Sequence, residues 1–116
     1  KTAFGNINIS REWNWCDEQS KYLIKFLNKK PQDFILSNGK SYSAKQMFKF
    51  AFDYFNIDYS KFIFVKKKYL RNKDVTTKFS NFEVCLKRNN MKRNVKIFGK
   101  RLIELMILHY LNEKKY

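Results

Sequence analysis

Arg11, Glu12 and Trp13 stand in a row, with Trp15 two residues on. A guanidinium beside so much aromatic surface, directly behind a stretch that reads as a strand, raises the question of an anionic ligand. The charge of the chain points the same way. It carries 25 Lys and Arg against 10 Asp and Glu, a net +15, and residues 66–101 hold 13 of the cations with only Asp74 and Glu83 opposing them. That stretch opens on Lys66-Lys67-Lys68 and reads either as an anion-binding face or as the surface of a lysine-rich composition, since charge speaks to association and not to fold. Cys16 and Cys85 lack CxxC spacing and a neighbouring histidine, so they read as two reduced structural thiols. His109 lies beside an apolar helix stripe without a partner in sequence and reads as structural. No metal site is expected.

These residues need elements to hold them. Phe4 to Ile9, with Ile7 and Ile9 apolar between polar neighbours, reads as a strand ending before Arg11. Asp17 is suited to cap a helix in which Tyr22, Leu23, Phe26 and Leu27 recur at helical spacing, and Pro31 stops it. Asp33 to Ser37 reads as a buried strand closed by an Asn38-Gly39 turn. Ser43-Ala44-Lys45-Gln46 has the form of a capping box, a hydroxyl at the N-cap and an amide three residues on, ahead of Met47, Phe48, Ala51 and Phe55. Lys61 to Val65 is rich in β-formers. Ser80 to Glu83 repeats the capping-box form before a short helix containing Cys85 and Leu86. Leu102, Ile103, Met106, Ile107, Tyr110 and Leu111 form one stripe of period 3.6.

The pattern predicts an α/β, α+β-like unit of about three short strands and four helices. With 116 residues, 44% of them hydrophobic, and no Pro/Gly/Ser-rich linker, residues 1–116 read as a single domain. Three strands make a thin sheet, of a kind that leans on a neighbouring domain to complete its core. Lys1 in place of an initiator Met is read as a sign of a fragment of a longer chain. With neither a leader-like start nor an apolar run long enough to span a bilayer, the expected location is cytoplasmic and away from membranes.

In motif order the chain resembles the C-terminal, substrate-binding part of GDP-mannose 4,6-dehydratases, of the extended short-chain dehydrogenase/reductase superfamily. Gly5-Asn6-Ile7-Asn8-Ile9-Ser10-Arg11-Glu12-Trp13 is similar to the family's GNLDxxRDW, and Pro31-Gln32-Asp33-Phe34-Ile35-Leu36-Ser37-Asn38-Gly39 to its PxDFVxATG. Ser43 to Phe52 follows its SVREFVEKAF helix, Tyr69 to Val75 its YFRPTEV, and Met106 to Leu111 its MVEHDL ending. The resemblance covers nearly the whole chain. It implies that Arg11 and Arg71 reach the pyrophosphate of a sugar nucleotide from two loops, with Asp74 near the ribose or base. Trp13 and Trp15 would be packing residues that steady the Arg11 loop.

The same resemblance implies that GDP-mannose or a related nucleotide sugar is the substrate. The intact enzyme would be a lyase giving GDP-4-keto-6-deoxymannose, an expected homo-oligomer, with NADP(H) bound by an N-terminal Rossmann half absent from this chain. Neither catalytic residues nor a cofactor of its own are expected here. The Tyr-xxx-Lys spacing such chemistry uses occurs at Tyr69/Lys73 and Tyr110/Lys114, but in a chain this rich in both residues it reads as chance. Asn14 stands where the family has Gly, and Asn72 where it has the proline of the RP turn. Two alternatives stay open: a small basic nucleic-acid-binding module using residues 66–101 with Phe79, Phe82 and Phe98, and a non-functional relic of the enzyme.

Overall fold

The computed structural model describes residues 1–73 and 80–113. Asp74, one of the expected site residues, lies outside the described residues. The chain is mixed α/β, a small α+β unit whose described residues hold four helices and four three-residue strands in two small sheets. β1 (Thr2–Phe4) pairs in parallel with β4 (Ile63–Val65), and β2 (Ser10–Glu12) pairs antiparallel with β3 (Ser41–Ser43). The helices are α1 (Cys16–Leu27), α2 (Ala44–Tyr54), α3 (Phe82–Arg88) and α4 (Gly99–Glu113).

The expected strand over Phe4 to Ile9 divides instead into β1, a turn, and β2. Asn6 turns the chain by accepting the backbone N–H of Asn8 on its side-chain oxygen at 3.1 Å. The Ile7 and Ile9 carbonyls are used elsewhere, accepting the Lys45 and Ala44 N–H groups at 2.8 and 3.3 Å and so tying this turn to the start of α2. The expected strand over Asp33 to Ser37 joins no ladder among the described residues, and Ile35 is half exposed. Side chains hold it: the Phe34 ring stacks on Phe26 with centroids 4.2 Å apart. The Asn38-Gly39 turn forms as expected, with Gly39 at φ +66° and Asn38 accepting the Lys40 N–H at 2.7 Å.

The capping box at Ser43 is complete. Its hydroxyl accepts the Gln46 N–H at 3.1 Å while the Gln46 side chain accepts the Ser43 N–H at 2.8 Å. The other two expected caps are displaced. Trp15, not Asp17, is the N-cap of α1, and Asn81, not Ser80, caps α3. Ser80 donates its hydroxyl to Glu12 instead, at 2.9 Å. A long-range acceptor outcompetes a local cap because it also fastens α3 to β2.

Two packed units result. Tyr22 and Phe26 of α1 meet Phe82 and Leu86 of α3 in a buried cluster, with the Tyr22 and Phe82 rings edge to face at 5.2 Å. The carboxylate of Glu18, nine-tenths buried, accepts the backbone N–H groups of Lys96 and Ile97 at 2.9 and 3.0 Å and fastens the segment before α4 to α1. The second unit sets α2 against α4, with Met47 and Leu102 buried. The stripe on α4 is buried only near its start. Leu102 is covered while Met106, Tyr110 and Leu111 are exposed. His109 is exposed, its Nδ1 lying 3.3 Å from Glu113. None of the helices, among the described residues, is long and apolar enough to cross a membrane.

Candidate functional site

The parallel β1–β4 pair sets up the site. Past the strand ends, the Lys66 N–H still reaches the Phe4 carbonyl at 2.9 Å, after which a 3-10 turn over Lys67–Tyr69 swings the chain back across β1. This brings the Tyr69 carbonyl against Gly5, so closely that a Cβ on Gly5 would lie 2.6 Å from that oxygen. Only glycine permits the approach. Arg71 follows directly.

Arg11 arrives from the other sheet. It stands opposite Tyr42 in the β2–β3 ladder, and its guanidinium donates to the Ser10 carbonyl at 2.7 Å. Trp13 steadies the strand end, its indole N–H donating to the Tyr42 carbonyl at 3.0 Å and its own carbonyl accepting from the Asn38 side chain at 2.6 Å. Trp13 thus holds the Arg11 strand end by hydrogen bonds, but it is exposed and lines the cleft, and is not the packing residue expected.

Arg11 and Arg71, 60 positions apart, line one cleft of about 330 Å³ together with Gly5, Asn6, Trp13 and Tyr69. That volume is at the small end for ligand pockets, room for a diphosphate and part of what it carries. No carboxylate stands among its described lining residues. Two further cations gather at its edge, with the ammonium groups of Lys66 and Lys68 at 5.8 and 5.6 Å from the centre of the Tyr69 ring. Ala44, the first residue of α2, also lines the cleft, but the N–H groups of that helix start are already donated to Ile9, Ile7 and Ser43. Guanidinium groups, and not helix amides, are therefore what the cleft offers an anion.

The structure thus brings together two of the three expected binding residues. Sequence reading missed Gly5 and Tyr69 as parts of the site. Their signals were a glycine just past a strand and a tyrosine directly behind three lysines.

The bare side of each glycine meets protein: Gly5 the Tyr69 carbonyl, Gly39 the Arg93 guanidinium and Gly99 the Tyr42 ring. The described residues contain no group of three or more His, Cys, Asp or Glu that could hold a metal ion. No protein-family model matches the chain, and no curated protein matches it.

Proposed function

We propose that this chain is the substrate-binding portion of a GDP-mannose 4,6-dehydratase-like enzyme, and that the Arg11/Arg71 cleft holds the diphosphate of the sugar nucleotide. The observation that carries the reading is the convergence of two arginines, 60 positions apart in sequence, on one small cleft. A diphosphate offers two adjacent anions, and planar guanidinium forks from a strand and from the segment after a 3-10 turn grip it from two sides. In this reading the chemistry at the sugar, and NADP(H) with it, belongs to a separate Rossmann half. This chain contributes binding and orientation.

Titration calorimetry of the chain with GDP and GDP-mannose tests it. Each of Arg11→Ala and Arg71→Ala removes a charge-assisted contact of about 1.5–3 kcal/mol, so affinity drops about ten- to hundred-fold. Lys100→Ala, on α4, leaves binding as it was. Absence of a binding heat, or arginine variants that bind like the parent, sinks the reading.

A second reading, single-stranded nucleic acid, is favoured by Lys66 and Lys68 around Tyr69 next to the exposed Trp13. It requires oligonucleotide affinity that falls steeply with salt and is not displaced by GDP.

A further inference from the structure

Two of the most deeply buried side chains among the described residues are polar. Ser37 is 0% and Asn38 1% exposed, as deep as Phe82 and Leu86, although both lie in a segment that is neither strand nor helix. Residues of these types mostly sit at the surface, and an amide taken out of water is costly unless its two ends are bonded. Both ends of Asn38 are. Its Oδ1 accepts the Lys40 N–H at 2.7 Å, and its Nδ2 donates to the Trp13 carbonyl at 2.6 Å. A donor on one side and an acceptor on the other fix which way the amide points.

The two partners show what the amide replaces. In the β2–β3 ladder Ser10 stands opposite Ser43, Arg11 opposite Tyr42 and Glu12 opposite Ser41. One step further, the same register sets Trp13 opposite Lys40. Direct pairing stops there, and the Asn38 amide stands between the two chains, accepting from one and donating to the other. It is a further rung, made of a side chain. β2 and β3 have three residues each, and so short a two-stranded pair holds poorly by itself. The turn that carries the amide is itself anchored, by the Arg93 guanidinium donating to the Asn38 carbonyl and by Ser37 Oγ accepting the Gly39 N–H at 2.8 Å.

Arg11 is the middle residue of β2, and both Arg11 and Trp13 line the cleft, whereas Asn38 is not among its described lining residues. We infer that Asn38 is a positioning residue for the arginine cleft: its side-chain amide closes the β2–β3 ladder and thereby sets where Arg11 meets the anion. The inference rests on the nucleotide-sugar reading for its ligand and adds to that reading a residue that acts without touching the ligand.

Asn38→Ser tests it. A serine there keeps an oxygen for the Lys40 N–H, as Ser37 does for Gly39, but is too short to reach Trp13. In calorimetry of the full chain, GDP affinity should fall about three- to tenfold. Placed in Arg11→Ala, the same substitution should change affinity by less than about twofold, while in Arg71→Ala the full loss should remain. A general weakening of the fold would act alike in both backgrounds. Amide hydrogen exchange reads the role without a ligand: β2 and β3 should exchange faster in Asn38→Ser, and α1 and α3 at the parent's rates. If Asn38→Ser loses the parent's far-UV circular dichroism, Asn38→Asp, of the same shape but with an acceptor facing Trp13, takes its place in the cycle. GDP binding equal to the parent's, a loss of the same size in Arg11→Ala, or faster exchange throughout α1 and α3 overturns the inference. So does loss of the fold in both variants, which would make Asn38 a residue of the whole chain and not of the cleft. A parent chain that does not bind GDP sinks the nucleotide-sugar reading instead, and the exchange rates then decide for Asn38 alone.

Discussion

The arginine cleft and the α1–α3 cluster are built by different forces. The cleft stands on backbone ladders, a turn that overlies a glycine, and hydrogen bonds such as that from Trp13 to Tyr42; its residues are half-buried or exposed. The cluster stands on side chains, with Phe82 and Leu86 each 1% exposed. The first has geometry with little burial. The second has burial, and beyond it the largest apolar exposure in the described chain. Direction comes from hydrogen bonds and stability from apolar area, so a small chain can place them in different parts.

The sharpest test of that division is Phe82→Ala. Removing a fully buried ring that meets Tyr22 edge to face should cost about 3–5 kcal/mol in urea denaturation. Molecules that remain folded should bind GDP as the parent does; if affinity falls in step with stability, the two regions are one unit. Gly5→Ala probes the opposite side. A methyl pressed against the Tyr69 carbonyl should cost about 1–3 kcal/mol and weaken GDP binding by moving Arg71. The near-ultraviolet circular dichroism of the Tyr22–Phe82 pair should persist, and losing that signal would again join the regions.

The smallest expected effect is acidic and local. The Ser60 hydroxyl and backbone N–H both donate to Asp58, at 2.8 and 2.9 Å, and hold its carboxyl below the ordinary 3.8. A group whose folded value is depressed contributes stability above its unfolded value and loses it as pH falls through the folded one. Carboxyl titration by NMR should therefore find the Asp58 midpoint under 3.8, with Ser60 amide protection fading below it, while the cleft stays as it was. A midpoint at or above 3.8 counts against the turn. Lys49 on α2, raised above 10.5 chiefly by its hydrogen bond to Asp53, is the alkaline counterpart, its contribution lost only as pH climbs past the raised value.

How much of this was legible beforehand depended on range. The Ser43 capping box, the Asn38-Gly39 turn and the positions of α1, α2 and α4 were readable because each rests on contacts two to four residues apart. The cap at Ser80 was misassigned because its hydroxyl is drawn to Glu12, and at Asp17 the helix has already begun, at Cys16, behind an N-cap Trp15 that makes no side-chain bond. Local rules do not weigh partners that arrive from across the chain. The strand expected at Asp33 to Ser37 failed for a related reason. Its composition was right, but a strand is defined by its neighbour, and among the described residues no neighbour comes.

By itself the sequence determined that the chain is basic, aromatic and of mixed α/β character, where most of its helices run, and that Arg11 and Arg71 are each well placed behind a strand or turn. Only the tertiary structure decided that there are two sheets and not one, that Tyr69 folds over Gly5, and that the two arginines share a cleft while α1 turns Leu27 outward. Helical periodicity and capping are written in short-range contacts. The meeting of two loops depends on how strands pair across more than fifty residues, which no local spacing encodes.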